Sequence, residues 1–383
     1  MCYDFAMQNY TLELEKLKEN AQYRTIKNIQ EKNSKYIIVD DKKMLNLSSN
    51  DYLNLSCDRD LTLEFTEKYK NHPDFLFSSA SARLLTGNLP CYFNLENKIA
   101  DMFQKEKALL FNTGYQCNQG IVSTLFGTKD CIISDKLNHA SIVSGLKLSL
   151  ADHFRYRHLD YDNLENILKT KRAQYNNAVI ISESVFSMDG DMADIKKLIE
   201  LKKKYNCLLM IDEAHAFGVF GDNLAGVAKE YDLLSDIDII TVTLGKAFAS
   251  QGALCISTKD IINYLINKSS PFIFSTAIPS VSALWVNFLL NEKKELLIKK
   301  KEKLNSLFRE VHKIYPTVSS SQIVPVIIGD SKNTKAKALE LQKWGYYVLP
   351  INPPTVPLNT SRLRLSLCSD MTLNEIQELL KRV

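Results

Sequence analysis

Cys207-Leu208-Leu209-Met210-Ile211-Asp212-Glu213-Ala214-His215, together with Ile237-Asp238-Ile239-Ile240-Thr241-Val242-Thr243-Leu244-Gly245-Lys246, decides how this chain is read. Each stretch is a short apolar run that ends in polar residues. Apolar side chains on consecutive rather than alternate positions mark strands covered on both faces, as in a parallel sheet with helices on either side. The runs Ala108 to Phe111, Cys131 to Ser134, Ala178 to Ser182 and Ala253 to Ser257 repeat the pattern, with longer segments of helical period between them. The expected fold is therefore an open α/β sheet. Ligands of such sheets gather beyond the carboxyl ends of the strands, which is where Asp212, His215, Thr243 and Lys246 fall.

An aspartate after five apolar residues is costly to bury ionised unless a cation or strong donor meets it. A lysine at the end of a neighbouring strand adds an amine. Pyridoxal phosphate suits the pair, since its aldehyde needs a lysine to hold it covalently and its ring nitrogen needs an anion to stay protonated. Lys246 and Asp212 fill these roles. Singly, Asp212 could be a helix N-cap and His215 a loop histidine; it is their joint occurrence with Lys246 that favours the cofactor.

With 383 residues the chain exceeds one typical domain. Three parts are expected: a helical arm over 1–44, a cofactor-binding α/β domain over 45–279 and a smaller α+β domain over 280–383. The arm carries an amphipathic helix from about Asn9 to Gln30, with Leu12, Leu14, Leu17 and Ile26 near one face. After Pro279 the pattern predicts a long helix to about Ile314. Next come a strand at Ile323 to Ile328, a helix at Ala336 to Trp344, and strands at Tyr346 to Leu349 and Arg362 to Leu367.

The eight cysteines are scattered through apolar runs, without a C-x-x-C pair or a cysteine–histidine cluster at zinc spacing. Neither disulfides nor a metal is expected, and a reducing cytoplasm fits. The start Met1-Cys2-Tyr3-Asp4-Phe5 has no basic and apolar leader pattern, and no stretch approaches the roughly 20 apolar residues of a membrane span. A net charge of +4 is mild. Lysine triplets at Lys202 and Lys299 sit among helix-period apolar residues and read as solvated helix faces, not as a nucleic-acid patch.

Several motifs together resemble the α-oxoamine synthases of the fold-type I pyridoxal phosphate enzymes. They are Leu47-Ser48-Ser49-Asn50-Asp51-Tyr52-Leu53, Leu110-Phe111-Asn112-Thr113-Gly114-Tyr115, Asp135-Lys136-Leu137-Asn138-His139-Ala140-Ser141, Glu183-Ser184-Val185-Phe186-Ser187-Met188-Asp189-Gly190-Asp191, and the Asp212/His215 and Thr243/Lys246 pairs. The resemblance runs from Arg24 to the C-terminal helix. It implies a fold-type I transferase: a mostly parallel central sheet flanked by helices, with a smaller α+β C-terminal domain.

The resemblance also implies roles. Gly114 and Tyr115 open a helix whose amides meet the phosphate, with Thr243, Ser187 and Thr276 as further cofactor contacts, Thr276 reaching the neighbouring subunit of a homodimer. His139 stacks on the ring and later reaches the acyl carbonyl, and His215 bonds the cofactor's phenolic oxygen. Arg364 forks onto the amino-acid carboxylate, and Arg24, Asn50 and Thr355 touch substrate. The reaction implied is decarboxylative condensation of an amino acid with an acyl thioester. Pro353-Pro354-Thr355-Val356-Pro357 followed by Arg362-Leu363-Arg364-Leu365 favours L-alanine and a pimeloyl thioester, on coenzyme A or an acyl carrier protein. Glycine- or serine-using members of the group are the nearest alternative. A non-catalytic subunit is another, though such subunits lose the lysine present here as Lys246.

Two departures stand out. The segment Ser78-Ser79-Ala80-Ser81-Ala82-Arg83-Leu84-Leu85-Thr86-Gly87 carries side chains where the pattern has glycines, and Tyr92 replaces its histidine. The extra side chains of the glycine-rich segment are expected to narrow the acyl channel.

Overall fold

The structure is a computed structural model describing residues 2–383, with side chains from residue 9 onward. Met1 and the Cys2 side chain lie outside the described residues. The chain forms two compact units, one of Leu53–Ser187 with Asp191–Lys303, the other of Met1–Tyr52, Met188–Gly190 and Leu304–Val383.

The larger unit is built on a seven-stranded sheet in the order Lys107–Phe111, Ala253–Ser257, Ile239–Thr243, Leu208–Asp212, Asn177–Glu183, Asp130–Asp135, Asp152–Tyr156. Ala253–Ser257 is antiparallel to both neighbours, and the remaining pairs are parallel. Burial on consecutive residues of the inner strands has the expected cause, helices on both faces. Ile132, Val179, Met210 and Ile239 of successive strands join Ile121 and Val122 of the helix Gly114–Leu125 in one core cluster. Each such side chain contributes about 1.5–3 kcal/mol by leaving water.

That helix lies close against the helix Ala140–Leu148 because Gly145 has no side chain. A Cβ there would stand 2.7 Å from the Cβ of Val122. Each of the two helices follows a strand of the sheet, so its start lies at the carboxyl edge, where Phe111, Asp135, Glu183, Asp212 and Thr243 end their strands.

At the rim of this edge His158 lies between two carboxylates. Its Nδ1 is 2.9 Å from Asp135 and its Nε2 2.8 Å from Asp191, with the ring edge-on to Phe186. Burial opposes the charged imidazolium, but the hydrogen bonds and negative charges of the two aspartates outweigh it and raise the pKa to about 10. The folded pKa exceeds the ordinary 6.5, so this stabilisation is fully present below pH 6.5 and is lost as pH rises through about 10. His158→Gln is expected to lower unfolding free energy by about 2 kcal/mol at pH 6 and by much less at pH 10. Denaturant unfolding of both proteins at the two pH values checks this; an equal deficit at both would refute the charged pairing.

The smaller unit holds two sheets. Glu31–Asn33, Tyr36–Val39, Lys42–Asn46 and Tyr346–Tyr347 form one; Ile323–Gly329, Ser361–Ser366 and Pro350–Ile351 form the other, wholly antiparallel. The N-terminal segment is thus not a purely helical arm. Its helix spans Cys2–Glu19, not Asn9 to Gln30, and ends where Ala21 turns left-handed at φ 56°. Helices often stop on such a residue, but the usual signal is glycine, and none stands here. Leu12, Leu14 and Leu17 remain exposed.

Two other expectations change. The long helix after Pro279 is two helices, Ser280–Glu292 and Lys294–Ile314, parted at Lys293. The strand Asp152–Tyr156 was absent from the apolar pattern because it edges the sheet and buries only Tyr156. No described helix is long and apolar enough to cross a membrane.

Candidate active site

A cavity of ≈ 200 Å³ opens at the carboxyl edge of the seven-stranded sheet. Gly114, Tyr115, His139, Asp212, His215, Thr243 and Lys246, all expected from the sequence, line it. So do Asn118, Ser141 and Glu183, to which no role was given.

Thr113 caps the helix Gly114–Leu125 by accepting from the Gln116 amide. The amides of Gly114 and Tyr115, in the first turn, have no partner within the helix and favour an anion. A Cβ on Gly114 would meet Thr243 Oγ1 at 3.7 Å, an ordinary contact. Packing within the chain therefore does not require glycine here.

Asp212 ends its strand at 5% exposure. One carboxylate oxygen accepts from Asn118 Nδ2 at 2.7 Å and the other from the Ala214 amide at 2.9 Å. Each keeps a further lone pair for a donor in the cavity. Glu183 ends the adjacent strand and accepts from the His139 amide at 2.5 Å. Burial, and then the negative charge of Asp212, push the Glu183 carboxyl well above its usual range. Glu183 is thus the neutral member of the pair, since two adjacent buried carboxyls disfavour double ionisation.

His139 caps the helix Ala140–Leu148 through Nδ1. Burial lowers its pKa, Asp212 pulls upward and Lys246 lowers it further, so the ring is neutral near pH 7. His215, three residues beyond Asp212, is buried. Lys246 lies on a short loop closed by bonds from Leu244 N to Gly252 O and from Ser250 N to Leu244 O. Gly218, at φ 84°, lets the loop carrying His215 approach the lysine loop; a Cβ would fall 2.7 Å from that of Ala247. Buried Ala247 and Phe248 anchor the backbone that carries the amine.

The other expected residues fall elsewhere. Ser187 and Thr276 do not line the cavity. Ser187 lies on the hairpin closed by the Val185–Met192 bridge, and Thr276 bridges to Ala82 while its carbonyl accepts from Asn112 at 2.6 Å. Arg24, Asn50, Thr355 and Arg364 belong to the smaller unit and form two pairings there. Arg24 donates to Thr355 Oγ1 at 3.1 Å. Arg364, at 8% exposure, donates to Ser366 at 2.6 Å, Asn50 at 3.1 Å and Tyr52 at 3.2 Å.

Tyr92, the second departure, faces the interior. It is fully buried, donates to the Ile278 carbonyl at 2.5 Å and lies under the Arg83 guanidinium. Arg83 in turn pairs with buried Glu96, which also accepts from the Leu110 amide at 2.7 Å. Tyr92 is a core residue.

An open α/β sheet whose edge gathers a lysine, a buried aspartate and a helix N-terminus around one cavity defines a pyridoxal phosphate site of fold type I. Residues 42–383 match the aminotransferase class I and II family, and the chain belongs to it. It is 45% identical over 378 residues to a Haemophilus influenzae protein provisionally named 8-amino-7-oxononanoate synthase, covering 97% of this chain and 99% of that one. A Neisseria gonorrhoeae protein with the same provisional name is 45% identical over 379 residues, with 97% and 99% covered. Among solved structures, serine palmitoyltransferase from S. paucimobilis with pyridoxal phosphate bound superposes at TM-score 0.88 and 26% identity, covering 98% of this chain and 95% of that one. An 8-amino-7-oxononanoate synthase from Francisella tularensis superposes at 0.74 and 27%, covering 88% and 96%.

The cofactor is pyridoxal 5'-phosphate. The residues present fit it: an amine for its aldehyde, a carboxylate with spare lone pairs for its ring nitrogen, and helix-start amides for its phosphate.

Proposed function

We propose that this chain condenses L-alanine with a pimeloyl thioester, releasing carbon dioxide and the thiol, to form 8-amino-7-oxononanoate. The observation that carries the reading is the meeting of Lys246, Asp212 and His139 in one cavity, in a chain 45% identical over 97% of its length to proteins with that provisional name. When bound, pyridoxal phosphate supplies an electron-poor ring that makes the Cα proton of the amino acid acidic and accepts the electrons released with carbon dioxide.

The chain's own residues do the rest. The Lys246 amine, on its short anchored loop, is the base that takes the Cα proton. Asp212, buried at the carboxyl edge, would hold the proton on the ring nitrogen. Neutral His139 donates a hydrogen bond to the acyl oxygen as negative charge gathers there, and the low polarity around it strengthens that bond. The amides of Gly114 and Tyr115, with Thr243, hold the phosphate. The amino-acid carboxylate is assigned to Arg364, whose guanidinium is oriented by Asn50, Tyr52 and Ser366. Arg24 with Thr355, and the cofactor contacts of Ser187 and Thr276, complete the assignment, and Thr276 implies a homodimer.

The test is a steady-state comparison of alanine, glycine and serine against acetyl, succinyl, pimeloyl and palmitoyl thioesters. Alanine with pimeloyl should lead in kcat/KM by about tenfold or more, which corresponds to about 1.4 kcal/mol in the transition state. A preference for acetyl or palmitoyl donors would overturn the reading.

A further inference from the structure

One buried amide in the cavity is unused by the chemistry above. Asn118, one turn into the helix Gly114–Leu125, is 3% exposed. Its Nδ2 donates to Asp212 at 2.7 Å and to Ser141 Oγ at 3.1 Å. Both amide protons are thereby used. The orientation is fixed as well, since turning the amide over would set its oxygen against a carboxylate.

Ser141 continues the connection. Its hydroxyl is 2.7 Å from His139 Nδ1, and its backbone N–H donates to the same nitrogen at 3.2 Å. A ring nitrogen that accepts a backbone N–H presents a lone pair, so its own proton must be on the other nitrogen. The hydroxyl, already accepting from Asn118, turns its proton to Nδ1.

We propose that Asn118 and Ser141 are positioning residues that tie the carboxylate of Asp212 to the tautomer of His139, keeping the imidazole proton on Nε2 as the donor for the acyl oxygen. The inference rests on the reading of His139 as that donor. Three ionisable groups act on this ring: Glu183 through the His139 amide, and Asp212 and Lys246 through their charges. Asp212 favours a second proton on the ring and Lys246 disfavours it, so charge alone does not select a tautomer. The Ser141 amide and the hydroxyl that Asn118 orients select it together, by geometry.

The arrangement has an energetic signature. Asn118 Oδ1 is buried without a hydrogen-bond partner, an arrangement that costs stability and that an apolar residue would avoid. The amide is retained for its two donors.

Long-range proton–nitrogen NMR of the full chain labelled with 15N-histidine reads the tautomer directly, with the His139 signals assigned by their loss in His139→Asn. In the unloaded protein near neutral pH, His139 should show the pattern of a neutral ring with its proton on Nε2. Loss of one neutral hydrogen bond in Ser141→Ala should shift the tautomer ratio by about fivefold, with Ser141→Thr restoring it. Asn118→Leu should shift it likewise. In the loaded enzyme it should lower kcat by roughly tenfold and move the pH midpoint of kcat, while KM for alanine changes by less than about twofold.

A wild-type ring protonated on Nδ1 would overturn the proposal, and that result needs no variant to fold. So would folded variants whose tautomer and pH profile match the wild type. The spectrum involves no substrate. An enzyme that prefers another amino acid or acyl donor would therefore sink the proposed reaction and leave this inference standing.

Discussion

Lys246→Ala is expected to abolish turnover, by about 10⁴-fold or more, and to end covalent capture of the cofactor. Among the described residues no other lysine lines the cavity to take its place. The loop should survive the change, because its closing bonds are backbone bonds and its anchors are Leu244, Ala247 and Phe248. Two measurements separate chemistry from folding. Borohydride treatment should fix cofactor to the wild-type chain and not to the variant, as read by intact mass. The unloaded variant should melt within about 2 °C of the unloaded wild type, since a half-buried lysine truncated at a loop removes little packing. A variant that still fixed cofactor and turned over substrate would refute the assignment.

Asp212→Asn should be nearly as damaging, lowering kcat by about 10³-fold while cofactor still binds through its phosphate and Lys246. A neutral amide cannot hold a proton on the ring nitrogen. The same change acts oppositely on the unloaded fold. Burial and the charge of Asp212 favour the neutral form of the adjacent Glu183, so in the unloaded fold the negative charge kept at Asp212 is buried at a cost. Removing one charge should leave the melting temperature of the unloaded variant equal to the wild type or about 1–3 °C higher. Loss of activity together with a lower melting temperature would show that Asp212 supports the fold rather than the cofactor.

Much of the architecture was legible because it is written in consecutive apolar residues. Leu209 to Ile211 and Ile239 to Val242 are buried at every position, so no solvent-facing residue interrupts the apolar core of either run. Their polar successors, Asp212 and Lys246, were legible for the same reason, since a charged residue straight after a buried strand stands out. The strand Asp152–Tyr156 did not stand out, because an edge strand with four polar or half-exposed positions looks like a loop. The strands within 31–46 were hidden for a related reason: Glu31–Asn33 is exposed throughout, and the helix before them stops at Ala21 without a glycine.

Asn118 and Ser141 show where reading along the chain runs out. An asparagine one turn into a helix and a serine two residues after a histidine are ordinary local features, common at helix surfaces and caps. Their meaning lies in distances of 2.7–3.1 Å to residues 94 and 23 positions away. Tyr92 makes the same point: along the chain it is a departure from a motif, and only packing shows it buried beneath Arg83.

The order of apolar and polar residues along this chain was enough to specify a two-face-covered sheet, a lysine and an aspartate at its carboxyl edge, and hence a pyridoxal phosphate site. Which polar side chains are buried, which way the Asn118 amide faces, and which nitrogen of His139 carries the proton came from the folded arrangement. Burial and strand order depend on local pattern, which short stretches of sequence carry; hydrogen-bond direction depends on which groups converge in space, and that follows from helix packing such as the contact at Gly145.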